Sequence, residues 1–224
     1  DMGKMKAEVT HEYHQRNGSS LRDKLFANIH DLSQVGSTLA PLSNLGTKLP
    51  GARWLMEKTV GIAADRTLPE FHSQSLRDWF DDRGGAAVPE SEAELRVVLF
   101  PDTHSTYNRP DIGRAAIRLL EAADVHVAFP EVGGSGRPPF SKGFIDKARS
   151  IAQRNVTALA PAVRDGWDVV VTEPSDAVML QSDYLDLLEG EDAEAVAANT
   201  YGVLEYVDAL RLDDHINFED VDQS

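Results

Sequence analysis

Between Leu95 and Leu210 short apolar runs alternate with helical patterns, and no other feature constrains the fold as much. Arg96–Pro101 (RVVLFP), Val125–Phe129 and Asp168–Thr172 (DVVVT) read as buried strands. Pro110–Ala123 reads as a helix opened by Pro and Asp, with Ile112, Ala116, Leu119 and Leu120 on its inner face. Ser141–Val163, Ser175–Leu188 and Ala193–Leu210 read as further helices. Strands spaced by helices in this way pair in parallel, through right-handed crossovers. The expected class is α/β: a small parallel sheet of three or four strands flanked by helices over residues 95–210, preceded by an irregular helical N-terminal segment.

The first 94 residues carry a different pattern. Met5, Val9 and Tyr13 recur at spacing four, and Leu21, Leu25, Ile29 and Leu32 continue the rhythm after a break at Asn17-Gly18. Ser19-Ser20 offers an N-cap for the second stretch. Short helices are expected at Leu39–Leu45, around Trp54, Leu55 and Val60, and at Ser75–Phe80. Residues 1–94 are therefore taken as a helical segment and 95–212 as the α/β domain. Residues 213–224 are taken as an acidic linker.

Composition narrows the function classes. A chain of 224 residues with 42% apolar residues and three Trp can bury a core. Its formal charge of -15 repels nucleic-acid phosphates and anionic lipid heads, so nucleic acid is not an expected partner. Acid-rich, Lys-poor usage suits a halophilic cytoplasm, an ordinary acidic protein being the alternative. No apolar run approaches the roughly 20 residues of a membrane span, and the first residues hold no apolar signal core. A cytoplasmic location follows as the expectation, with a peripheral seat on the cytoplasmic membrane face as its variant. The absence of cysteine excludes disulfides, thiolate metal sites and thiol nucleophiles.

Three loops stand where the carboxyl ends of the strands fall, the edge at which α/β sheets bind ligands. The first, Asp102-Thr103-His104, offers a carboxylate, a hydroxyl and an imidazole. The second, Gly133-Gly134-Ser135-Gly136, is a turn whose amides suit an anion, but it lacks the phosphate-binding fingerprint and the serine-hydrolase elbow. The third, Glu173-Pro174-Ser175-Asp176, opens a helix; the plain reading is that Ser175 or Asp176 caps it. Asp102, Glu173 and Asp176 could together present oxygens to a cation. His11 and His14, at spacing three, do not match His-Glu-x-x-His and read as solvated helix-face residues.

As a set, these segments resemble the cysteine-rich CCG domain of heterodisulfide reductase, anaerobic glycerol-3-phosphate dehydrogenase and glycolate oxidase iron–sulfur subunits. The family pattern is Phe-Pro-Gly-Cys, then Cys-Cys-Gly-x-Pro, then Cys-Pro-Ser-Cys. The matching positions are Phe100-Pro101-Asp102-Thr103, Gly134-Ser135-Gly136-Arg137-Pro138 and Glu173-Pro174-Ser175-Asp176. Tyr107–Ala116 and Ala148-Arg149 leading to Arg154-Asn155-Val156 match in kind. Asp1–Glu8, Tyr13–Arg16 and Leu21–Phe26 look like the segment that follows the last ferredoxin cysteines in large FAD-linked oxidases.

The resemblance implies a fragment, the first CCG module of such an oxidase, with FAD and 4Fe-4S clusters elsewhere in the parent. Ferredoxin-like, flavin and second CCG domains would be its partners, and a D-lactate- or glycolate-type 2-hydroxy acid the parent's substrate. It also marks a loss: Thr103, Gly134, Ser135, Glu173 and Asp176 stand at thiolate positions, and such residues do not replace cysteine as iron ligands. No catalytic, cofactor-binding or metal-binding residue is assigned to the chain itself. The leading expectation is a cluster-free structural and docking domain of an FAD- and iron–sulfur-dependent oxidoreductase. The alternative is a repurposed module that holds a divalent cation or small polar ligand among Asp102, Thr103, His104, Ser135, Glu173 and Asp176.

Overall fold

A computed structural model describes residues 2–63, 65–66 and 68–216. Four parallel strands form one sheet in the order β2-β1-β3-β4: β1 (Leu95–Phe100), β2 (Val125–Ala128), β3 (Asp168–Val171) and β4 (Thr200–Gly202). Val97 lies opposite Val127, Leu99 opposite Val170, and Val170 opposite Tyr201. The two inner strands are apolar without a break because helices cover both faces. Val98, Phe100, Val169 and Val171 face one layer, and Val97, Leu99, Val170 and Val125 face the other.

Helices α7 (Pro110–Ala122) and α9 (Ile145–Arg164) are the crossovers. On α7 the buried stripe is Gly113, Ala116, Ile117 and Leu120, while Ile112 is 39% exposed and Leu119 only partly buried. Of the expected inner face Ala116 and Leu120 are buried and Leu119 packs partly against the core; only Ile112 falls outside, with Gly113 and Ile117 in the stripe. Gly113 belongs to it because α6 (Leu76–Asp82) crosses there: a Cβ at 113 would meet Leu76 at 2.1 Å. Ser75 caps α6 in a reciprocal pair with Asp78.

Of the three helices expected after β2, one starts late, one is continuous and one is divided. The helix expected from Ser141 to Val163 starts at Ile145 as α9: Ser141 closes the short α8 (Arg137–Ser141), and Gly143, whose φ of +74° suits no continuing helix and whose missing Cβ leaves room for the His11 backbone, separates the two. Ser175–Leu188 is one continuous helical run as expected, made of α10 (Pro174–Val178), a π-type turn Met179–Asp183 and α11 (Tyr184–Leu187), with right-handed helical backbone at both joins. Ala193–Leu210 is α12 (Glu191–Ala198), then β4, then α13 (Val203–Ala209). The alanine-rich sequence hides a three-residue strand. Asn199 ends the first helix, and its carbonyl receives the Val169 amide at 2.8 Å, which starts the pairing.

The N-terminal segment comprises α1 (Met2–Asn17), α2 (Leu21–Ala27, capped by Ser20), α3 (Ile29–Thr38), α4 (Ala40–Lys48) and α5 (Pro50–Val60). Ala7 of α1 reaches the domain core. Lys4 lies 3.5 Å from buried Asp183 and pairs with Asp186. The Met5, Val9 and Tyr13 stripe is exposed, so its periodicity marks the helix and not the core. His11 and His14 are not solvated. His11 Nδ1 bonds the Gly143 carbonyl at 2.9 Å, and the half-buried His14 ring packs 5.1 Å from Phe144. The expected acidic linker 213–224 does not begin as one: its first three residues lie in a 3-10 turn with Leu212 (Leu212–His215), and Ile216 is buried; residues 217–224 lie outside the described part.

Candidate functional site: a sealed sheet edge

All three loops lie at the carboxyl edge of the sheet, the first and third directly after β1 and β3 and the second five residues after β2. The first closes on itself. After Phe100 the chain turns into a five-residue π-type turn, His104–Asn108, and the fully buried Asp102 carboxylate organises it. The Ser105 amide donates to Asp102 Oδ1 at 2.8 Å, and the Ser105 and Thr172 hydroxyls both donate to Oδ2. Thr172 Oγ1 also stands 2.9 Å from Ser105 Oγ. One carboxylate therefore ties the end of β1 to the end of β3. A carboxyl group so far from water needs its oxygens partnered in this way.

The second and third loops meet over the other layer. The buried Ser135 hydroxyl donates to Asp176 Oδ1 and accepts from the Arg137 amide at 3.1 Å. Burial is the largest cause, and nearby Asp102 and Glu173 contribute, in pushing the Asp176 carboxyl from 3.8 up to about 7. The loop is anchored from below by Asn155 and Tyr184. Asn155 Nδ2 donates to the Gly134 carbonyl and to Tyr184 OH, and Tyr184 OH donates to the Ser135 carbonyl, each at 2.8 Å. Burial pushes the Tyr184 phenol well up, so it remains a donor.

A residue from the N-terminal segment completes the edge. His30 of α3 bonds Thr103 Oγ1 at 3.0 Å through Nδ1, and its ring lies over Gly133 and Gly134. A Cβ at Gly134, where φ is +52°, would approach the imidazole to 3.0 Å. Burial lowers the His30 pKa, which keeps the ring neutral at physiological pH. Two cavities border the ring: a small one of about 60 Å³ by Thr103, Gly134, Ser135 and Lys147, and an open one of about 580 Å³ lined by His30, Pro101, Thr106, Tyr107, Gly133 and Asn155, so the edge is closed at Ser135 and Asp102 and open beside His30.

The expected site residues thus fall into separate sets. Ser135 and Asp176 are joined, Asp102 belongs to its own network, Thr103 pairs with His30, and His104 is exposed. The third loop is capped by Glu173, whose carboxylate accepts from the Ser175 amide at 3.2 Å and hydroxyl at 2.8 Å; neither Ser175 nor Asp176 is the cap. Among the described residues no group of three or more His, Asp or Glu is close enough to hold a metal ion. His30, Ser105, Asn155, Thr172 and Tyr184 escaped the sequence reading. Asn155 alone carried a signal, a polar residue on the apolar face of a long helix.

Comparison with known proteins gives first a class: the relatives belong to redox enzymes and redox pathways, consistent with a CCG-type domain. The chain is 28% identical over 171 residues to one of the subunits of the anaerobic glycerol-3-phosphate dehydrogenase of Escherichia coli, a match that takes in 75% of this chain and 42% of the relative. It is 28% identical over 127 residues to lactate utilization protein A of Geobacillus kaustophilus, 54% of this chain and 51% of that protein. It is 23% identical over 197 residues to D-2-hydroxyglutarate dehydrogenase of Haemophilus influenzae, 84% of this chain and 19% of the relative. The chain thus spans about half or less of each of these relatives. No family model and no solved structure matches it. No helix among the described residues is long and apolar enough to cross a membrane.

Proposed function

We propose that this chain is a cluster-free CCG-like domain with a structural and docking role in an FAD- and iron–sulfur-dependent oxidoreductase. The likeness to redox-enzyme relatives supports the setting. The observation that carries the cluster-free part is how the side chains at this edge are partnered. The groups at the former thiolate positions are spent on one another or on the protein: Ser135 on Asp176, Thr103 on His30, Glu173 on its own helix start. Gly134, the remaining position, has no side chain and lies under an imidazole. Iron bound to sulfide needs thiolates, or occasionally histidine, and His30 alone is one ligand at most. Electron transfer by this domain would have no resident carrier. Its contribution would be a fixed shape that holds neighbouring redox domains, including ferredoxin-like, flavin and second CCG parts of a longer parent, at set distances. The parent's chemistry on a 2-hydroxy acid would proceed elsewhere.

Anaerobic incubation of the purified protein with ferrous iron, sulfide and thiol tests this. The expected result after desalting is no broad visible charge-transfer absorption and no stoichiometric iron. A stable brown product with about four irons per chain would overturn the reading.

A further inference from the structure

The open cavity beside His30 takes in none of the residues from which the sequence suggested a ligand site. About 580 Å³ in volume, it lies between α3 and the loops that follow β1 and β2. That size falls within the range of small-molecule sites, and the carboxyl edge of the sheet is where α/β domains hold them. Buried Ser37, Pro101, Thr106 and Asn155 form its floor, half-buried His30, Tyr107 and Arg77 its walls, and exposed Arg154 stands at its rim. Apart from Pro101 and Val132 the lining is polar or glycine, which suits a polar ligand.

Its floor and walls offer hydrogen bonds that the fold leaves open. Thr106 is 4% exposed, and of the cavity's residues it alone has a buried side-chain hydroxyl without a partner among the described residues. Burying a hydroxyl unpaired costs free energy, which a ligand bonded to it removes. Asn155 commits Nδ2 to the Gly134 carbonyl and Tyr184 OH, which leaves Oδ1 to accept. His30 spends Nδ1 on Thr103, and glycine at 133 gives its other nitrogen room: a Cβ there would stand 2.9 Å from Nε2. Burial raises the Tyr107 pKa, so its phenol stays protonated and can donate. Ligand hydroxyls, which both donate and accept, match this mixed set.

Charge supplies the other half. The acids around the cavity are matched: Asp78 belongs to the α6 cap, Glu131 lies 3.3 Å from Arg77, and Asp31 lies 3.7 Å from Lys147. Arg154 is not. Its Nη1 donates to the Ser150 hydroxyl at 3.2 Å, and no carboxylate among the described residues pairs with it. An unpaired guanidinium suits an oxyanion, and a single spare cation matches a carboxylate better than a phosphate carrying nearly two charges.

We propose that this cavity binds a small hydroxylated carboxylate, its carboxylate at Arg154 and its hydroxyls among Thr106, Tyr107 and Asn155. The site holds the ligand and does no chemistry on it. It rests on residues outside the former thiolate positions, so this inference and the cluster-free reading can fail separately.

Calorimetric titration of the whole chain with sodium glycerate and, separately, sodium gluconate tests it. At least one of them is expected to bind with a Kd below about 1 mM. Sorbitol keeps the hydroxyls, propionate keeps the carboxylate and inorganic phosphate keeps only the charge; each should bind at least about tenfold more weakly. Arg154→Gln and, separately, Thr106→Val should each weaken binding by at least about tenfold. Thr106→Val should not lower the melting temperature, since its hydroxyl has no protein partner to lose. Absence of saturable binding by either acid would overturn the proposal. So would sorbitol, propionate or phosphate binding as tightly as the acids, or binding indifferent to either variant.

Discussion

Asp102→Ala is expected to destabilise the domain by about 3–5 kcal/mol, enough to unfold much of the population of a marginally stable protein. The carboxylate is completely buried and receives the Ser105 amide, the Ser105 hydroxyl and the Thr172 hydroxyl. Alanine would leave those three donors without a partner in a site closed to water, and each unsatisfied group costs about 1–3 kcal/mol. The substitution would also cut the link between the ends of β1 and β3. Ser105→Ala/Thr172→Val, which keeps the amide bond but strips two donors from a buried carboxylate, is expected to destabilise the domain as well. Urea denaturation of both variants reads the losses. A loss under about 1 kcal/mol for Asp102→Ala would show that the network does not organise the edge.

The second large effect depends on pH. Asp176 binds its proton about three units more tightly when folded than its ordinary value of 3.8, because burial penalises the charged form. Below pH 4 both states hold the proton and the group is neutral in its influence. Between about pH 4 and 7 the unfolded chain has released the proton and the folded chain still holds it, so this group makes stability fall as pH rises. Above 7 the folded carboxylate is charged and the full penalty, about 4 kcal/mol at most, is present. Asp176→Asn keeps an acceptor for the Ser135 hydroxyl and removes the charge. It should raise stability at pH 8 by about 2–4 kcal/mol and change little at pH 4. Melting curves of both proteins across that range check the prediction; parallel curves would show that Asp176 is ionised without cost.

The sheet could be read from the sequence because buried parallel strands announce themselves as apolar runs, and RVVLF and DVVV are such runs. β4 could not, since Thr200-Tyr201-Gly202 is too short to show a period and is defined by the Asn199 carbonyl that pairs with β3. On α7 the sequence shows Ala116, Leu119 and Leu120 facing inward but not Gly113, which joins the packed face by having no side chain. At the edge, the loops and their positions were legible, whereas their chemistry was not. Asp102 and Asp176 resemble one another in sequence, but one accepts three donors and the other mainly a single hydroxyl. That difference comes from Ser105, Thr172 and Ser135, which nothing local distinguishes from capping residues. His30 lies 73 positions before Thr103, and only the folded chain brings them together.

Because the chain contains no cysteine, a single introduced thiol reports one position without background. Ser135→Cys places it in the second loop, 1% exposed and between Asp176 and the Asn155–Tyr184 anchor. Labelling with an aromatic disulfide reagent measures directly whether the edge is closed. The sealed edge predicts a reaction at least about 100-fold slower than in denaturant, limited by opening of the loop. Labelling at the rate of a free thiol in the folded protein would contradict it.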